Sequence, residues 1–235
     1  MSHREEDDKL LFGASDRIEL FATIVMALAA ILTAWCAFEA GMWSGIQAIE
    51  FSASSGDRIE STRADTLAGQ QRIVDVEVFT SWLDAVATEI ANDEIPPVSE
   101  SGYTPVEGTL SAFYFQRMRD EFKVALEAWL ETDPLNNAEA EPTPFQMTEY
   151  RQAASEQAND LLDQSATHRQ AALDANKNSD FYVLLTVGFA LVIFFAGVSS
   201  KLVANRNRMI MLVLAVVLFL GALTAGLTLP IQLPF

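Results

Sequence analysis

Three apolar runs punctuate the chain, and the polar stretch between the first two carries a helical rhythm of its own. Residues 20–38, 181–200 and 209–229 contain no charged side chain. At about 1.5 Å rise per residue each covers about 30 Å, the thickness of a bilayer's hydrocarbon core. They predict three transmembrane helices. The intervening segment is far too polar to share that environment.

From Ile73 onward that segment becomes periodic. Ile73, Val76, Phe79, Leu83, Val86 and Ile90 recur at spacings of three and four, and Trp82 widens the stripe. The pattern predicts one helix with a single apolar face. It must stop before Pro96 and Pro97, since proline lacks the donor and crowds the preceding turn. A second helix is expected from about Thr109 to Thr132, with Phe115, Met118, Phe122, Ala125 and Trp129 on its stripe and Leu126 and Leu130 beside it. A proline-bearing loop follows. Thr143, Pro144 and Gln146 then resemble a capping box with proline at the first helical position.

The helix expected from there to Asn178 has a seam of small residues: Ala154, Ala158, Leu161, Ser165, His168, Ala172 and Ala175. No breaker separates it from Phe181, and none follows Trp43. The expected fold is therefore all-α, with spans one and two continuing into an elongated antiparallel extracytoplasmic helical bundle. The expected layout is a tail (1–17, with its charged first residues disordered), span one (18–43, its helix capped by Ser15 and Asp16) and an outer bundle (44–180). Span two (181–200), a basic loop (201–208), span three (209–230) and a short outer tail (231–235) complete it.

Charge orients this layout. Arg4, Lys9 and Arg17 precede span one, and Lys201, Arg206 and Arg208 separate spans two and three, so both segments are expected on the cytoplasmic side of a bacterial inner membrane. The apolar run passes Ala27 and Ala30 without interruption, so an uncleaved signal anchor is expected. Residues 44–180 hold 25 acidic and 9 basic side chains, so 16 of the chain's 17 net negative charges lie there. Such a surface repels nucleic acid and anionic headgroups and attracts cations.

Candidate chemistry is sparse. The single cysteine, Cys36, excludes an intrachain disulfide and reads as a small apolar residue within span one. His3 and His168 are the two histidines. His168 has Gln164, Ser165, Ala171 and Ala172 as helical neighbours, none a good metal ligand. No HExxH, GxSxG, phosphate-binding glycine loop or dinucleotide fingerprint occurs. No enzyme activity, cofactor or metal is expected. Apart from Glu39, at the end of span one, no ionisable residue is expected mid-membrane. Glu39 stands either as a wetted residue at the outer boundary or at a pore mouth or intersubunit contact. Trp35 and Trp43 flank it as interfacial anchors. Gly188, Gly197, Gly221 and Ala225 are candidate helix-packing positions, because small residues admit close approach of transmembrane helices.

The stretches AWCAFEAGMWSGIQA and ANKNSDFYVLLTVGFALVIFFAG, with the span order, resemble uncharacterised bacterial three-span membrane proteins that carry an outer helical domain of unknown function. That resemblance implies no activity. The bundle between two spans is also similar to a chemoreceptor sensor module, with the departure that a short loop and a third span follow span two. Two functions are consistent with these features. One is a non-enzymatic, homo-oligomeric membrane subunit, with or without a pore beneath an acidic vestibule. The other is an accessory, sensor or scaffold protein binding a partner through the outer bundle. Membrane lipid is the partner common to both.

Overall fold

The computed structural model describes residues 2–98, 102–134 and 136–232, with side chains from Arg17 onward. Every element among them is helical. The helices are α1 (Ser2–Ala91), α2 (Leu110–Arg117), α3 (Asp120–Glu131), α4 (Ala153–Lys201) and α5 (Asn205–Leu227), with one 3₁₀ turn at Pro144–Gln146. Three of them, α1, α4 and α5, include stretches long and apolar enough to cross a membrane. The backbone of α1 is helical from Ser2, so the first residues extend the helix, and Ser15 and Asp16 lie within it.

The chain divides into two compact units. The first is Met1–Ala53 with Thr167–Phe235, and the second is Ser54–Ala166. Each takes part of α1 and part of α4. The first unit packs three apolar helices around Val25, Ala29, Phe189, Val192, Ala196 and Ala215. The large apolar side chains it leaves exposed, such as Leu20, Ile24, Leu28 and Leu184, form the surface that lipid would cover.

In the second unit, α1 and α4 meet along small residues. Ala154, Ala158 and Ser165 of α4 and Ser54, Ser61, Ala64 and Ala68 of α1 are buried. Close approach lets hydroxyls reach across to the opposite backbone. Ser54 donates to the carbonyl of Ser165 and Ser165 to that of Ser54, each at 2.9 Å, and Ser61 donates to Ala158 O at 2.7 Å. Beyond this seam lies an aromatic core of Phe79, Trp82, Phe122 and Trp129, with Phe145 and Tyr150 packed against it.

Local structure refines or departs from the sequence expectation at five places. The helix over 73–91 turns a different stripe inward. Phe79, Trp82 and Val86 are buried, but so are Asp75 and Glu89, whereas Ile73, Val76 and Leu83 are exposed. Both acids bring their own partners, which makes their burial tolerable.

α1 then stops at Ala91 without needing the prolines. Asp93 adopts φ +61°, and the bonds Asp93 N–H to Ile90 O and Glu94 N–H to Glu89 O close a Schellman motif.

The expected single helix over 109–132 is broken at Met118 and Arg119, both extended. That break places the Arg119 side chain across Asp75. The capping box at Thr143 yields only the 3₁₀ turn, with no side-chain cap bond. There the chain is held by Phe145, stacked on Phe122 at 5.0 Å, and by Tyr150. Finally, the basic loop is shorter than expected, since Arg206 and Arg208 already belong to α5 and Arg208 is buried.

Candidate functional site

The most unusual group in the first unit is a carboxylate with no exposure at all. Glu39 sits on α1 one turn beyond Cys36 and is fully buried. Its Oε2 accepts a 3.0 Å hydrogen bond from the backbone N–H of Gln232, and its Oε1 is buried without a hydrogen-bond partner. The segment that reaches it follows α5. Thr228 caps that helix, Leu229 N–H returns to Gly226 O, and the chain turns at Pro230.

Two aromatic donors hold the turn. Trp43 Nε1 donates to Pro230 O at 3.1 Å and Tyr182 OH to the same oxygen at 3.2 Å. The donors come from α1 and α4, so Pro230 ties three helices together through one carbonyl. Below them, Ser179 Oγ donates to Ala40 O at 3.0 Å and fixes the register of α4 against α1. Trp43, Ala40, Cys36 and Tyr182 close an apolar collar around the carboxyl group. A buried carboxyl oxygen left without a partner is costly.

Glu39 is therefore not a wetted boundary residue, because the segment 229–232 covers it. Trp43 faces the C-terminal turn instead of serving as an exposed anchor. Trp35 is the exposed tryptophan of the pair and lies beside Phe38 at 6.0 Å.

The packing glycines divide in the same way. A Cβ on Gly188 would touch Ala222 Cβ at 3.7 Å, and one on Gly197 would touch Met26 Sδ at 3.6 Å. Gly221 meets nothing within 4 Å, and Ala225 is exposed. Ala222 and Gly226 are among the α5 positions that approach α4, and a Cβ on Gly226 would lie 3.4 Å from Leu185 Cδ1. Sequence reasoning missed Ala222, together with Tyr182, Pro230 and Gln232. Small residues crowd α5 on every side, so residue size alone does not mark the contact face.

Three further polar clusters organise the molecule. Arg119 grips Asp75 bidentately, Nε to Oδ1 at 3.0 Å and Nη2 to Oδ2 at 2.8 Å, and reaches Glu121 with Nη1. Tyr150 OH donates to Asp75 Oδ2 at 3.0 Å. Burial first, and then the Asp75 carboxylate, push the Tyr150 phenol up to about 12. Asp75 in turn holds the Arg119 guanidinium above its ordinary value.

Glu89 caps α2 from outside that helix. Its Oε1 accepts from Leu110 N at 2.8 Å and Ser111 N at 3.0 Å, and its Oε2 accepts from Ser111 Oγ. In the first unit His168 Nδ1 lies 2.6 Å from Glu50 Oε2, a partner on α1 that the neighbours of His168 on its own helix gave no sign of. Among the described residues no three His, Cys, Asp or Glu side chains gather as a metal site.

No family model, curated protein or solved structure matches the chain. The functional reading therefore rests on this geometry.

Proposed function

We propose that the chain is a non-enzymatic subunit of a homo-oligomer in the bacterial cytoplasmic membrane, with its N-terminus inside and residues 44–180 outside. The observation that carries this reading is an apolar row on the wrong side of a polar helix. In the second unit, Ile59, Leu67, Ile73 and Val74 of α1 are 48 to 61% exposed, opposite the buried stripe of Ser61, Ala64, Ala68 and Asp75. Arg58, Glu60, Arg63, Arg72 and Glu77 are interspersed with it along the helix, so the row is unsuited to lipid, and large apolar side chains grouped on a water-facing helix mark a protein contact. Copies anchored in one membrane share an orientation and a two-dimensional surface. They present the same row to one another at high effective concentration.

Gathered in this way, the acidic residues of 44–180 would concentrate cations. In a pore of that kind Glu39, covered by residues 229–232, represents a closed mouth. Native mass spectrometry of the protein released from nanodiscs tests the reading. A single species of four or more copies, reduced to monomer by the paired change Ile73→Asp and Leu67→Asp, is the expected result. A monomeric native protein overturns it.

A further inference from the structure

Two hydrogen bonds lay the segment before α4 across one face of α1. Tyr150 OH donates to Asp75 Oδ2 and Gln152 Nε2 to Ala68 O, each at 3.0 Å. Arg72 stands between those anchor points, four residues after Ala68 and three before Asp75, on the same face of the helix. Beside it opens a cleft of about 450 Å³, lined by Arg72, Phe145, Met147, Arg151, Ser155 and Glu156 among others.

The charge of this cleft runs against that of its surroundings. Residues 54–166 hold 22 acidic and 7 basic side chains, yet two of the seven line the cleft with one acid, Glu156. Arg72 is exposed, and among the described residues its guanidinium makes no ion pair or hydrogen bond. Arg151 pairs with Glu156 at 3.2 Å, but the two side chains are 78 and 58% exposed. A pair so open to water is worth little and gives way to a better partner. The Ser155 hydroxyl makes no hydrogen bond among the described residues either. Half-buried Phe145 and Met147 supply an apolar wall.

We propose that this cleft binds a small organic carboxylate, its head on Arg72 and Arg151 and an aromatic or aliphatic body against Phe145 and Met147. A guanidinium fork matches a carboxylate with two parallel N–H···O bonds. The body adds burial of apolar surface on the wall. A cation would meet two guanidinium groups, and a bare inorganic anion would leave the wall unused. The site would give the protein a ligand of its own, whether or not the chain oligomerises.

The test uses the full-length protein in phosphatidylcholine nanodiscs. The probe is 4-fluorobenzoate, its neutral counterpart is 4-fluorobenzamide, and fluorine NMR is the readout after subtraction of empty nanodiscs. The carboxylate is expected to bind saturably and at least about tenfold more tightly than the amide. Arg72→Gln should weaken it about tenfold, as for one lost hydrogen bond to a charged group. Arg72→Lys keeps the charge without the fork and should weaken it less. Arg117→Gln, in the same unit but outside the cleft, should leave binding unchanged. Absence of saturable binding overturns the site, and so does native affinity in Arg72→Gln. Equal binding of the amide overturns the choice of a carboxylate. An equal loss in Arg117→Gln reduces the effect to general surface attraction and also overturns the site.

Discussion

The backbone N–H of Gln232 and the carboxylate of Glu39 are hydrogen-bonded at 3.0 Å across a separation of 193 residues. This bond, with the two that Pro230 O accepts from Trp43 and Tyr182, turns the last described residues into a strap over the only buried acid among the described side chains of the first unit. Without Glu39 as acceptor, the Gln232 amide loses its partner. In Glu39→Ala its hydrogen exchange should accelerate by about tenfold, the equivalent of one lost hydrogen bond. Glu39→Gln keeps an acceptor oxygen and should exchange close to the native rate. Equal rates in all three proteins would show that the strap is held elsewhere.

Asp75 has a side chain only 1% exposed and serves two partners, Arg119 and Tyr150. Removing it strands a guanidinium that is itself mostly buried. Asp75→Ala should therefore cost about 3 kcal/mol in denaturant unfolding of the second unit followed by tryptophan fluorescence. Removing the charge pair and its donor together, with Asp75→Leu, Arg119→Met and Tyr150→Phe, should cost much less than that single change. A loss below about 0.5 kcal/mol for Asp75→Ala, no more than an ordinary surface substitution, would deny the cluster a structural role.

Tyr150 gives the second unit an alkaline limit. Its phenol is raised from an ordinary 10.0 to about 12, chiefly by burial and then by donation to Asp75, with Arg119 and Arg72 opposing. A group whose native value is raised contributes stability that is complete below its unfolded value and is lost as pH climbs through the native one. Stability should thus fall between about pH 10 and pH 12, and Tyr150→Phe should flatten that limb. Thermal melts across this range decide the matter, and an unchanged slope in Tyr150→Phe would remove the tyrosine from the account.

Glycines in the spans should differ in what they tolerate. Gly197 faces Met26 with room for a methyl group at 3.6 Å but not for a branched side chain, whereas Gly221 faces open space. Gly221→Leu should leave the melting temperature in detergent unchanged or raise it, since leucine is the better helix former. Gly197→Leu should destabilise by about 1–3 kcal/mol through overpacking. The opposite ranking would mean that α5 uses another face.

Much of the architecture was legible in the order of residues. Three uncharged runs of membrane length, the missing breaker before Phe181 and the small-residue seam from Ala154 to Ala175 follow from chain-local physics. Length against bilayer thickness and a period of 3.6 need no knowledge of partners. The buried aromatic pair Trp82 and Trp129 was visible for the same reason. Tertiary structure alone decided which acids are buried. Asp75 and Glu89 interrupt an apolar stripe, and only Arg119, Tyr150 and the start of α2, brought from distant positions, make them acceptable there. It also broke the helix at Met118 and Arg119, because one bidentate ion pair and a packed core outweigh local helix propensity over two residues. Glu39 is the clearest case. Counted along its helix it belongs at a wet boundary, yet the chain returns from Pro230 to cover it. A fold-back of that kind has no period and no local signature in sequence, because its free energy comes from contacts between residues nearly two hundred positions apart.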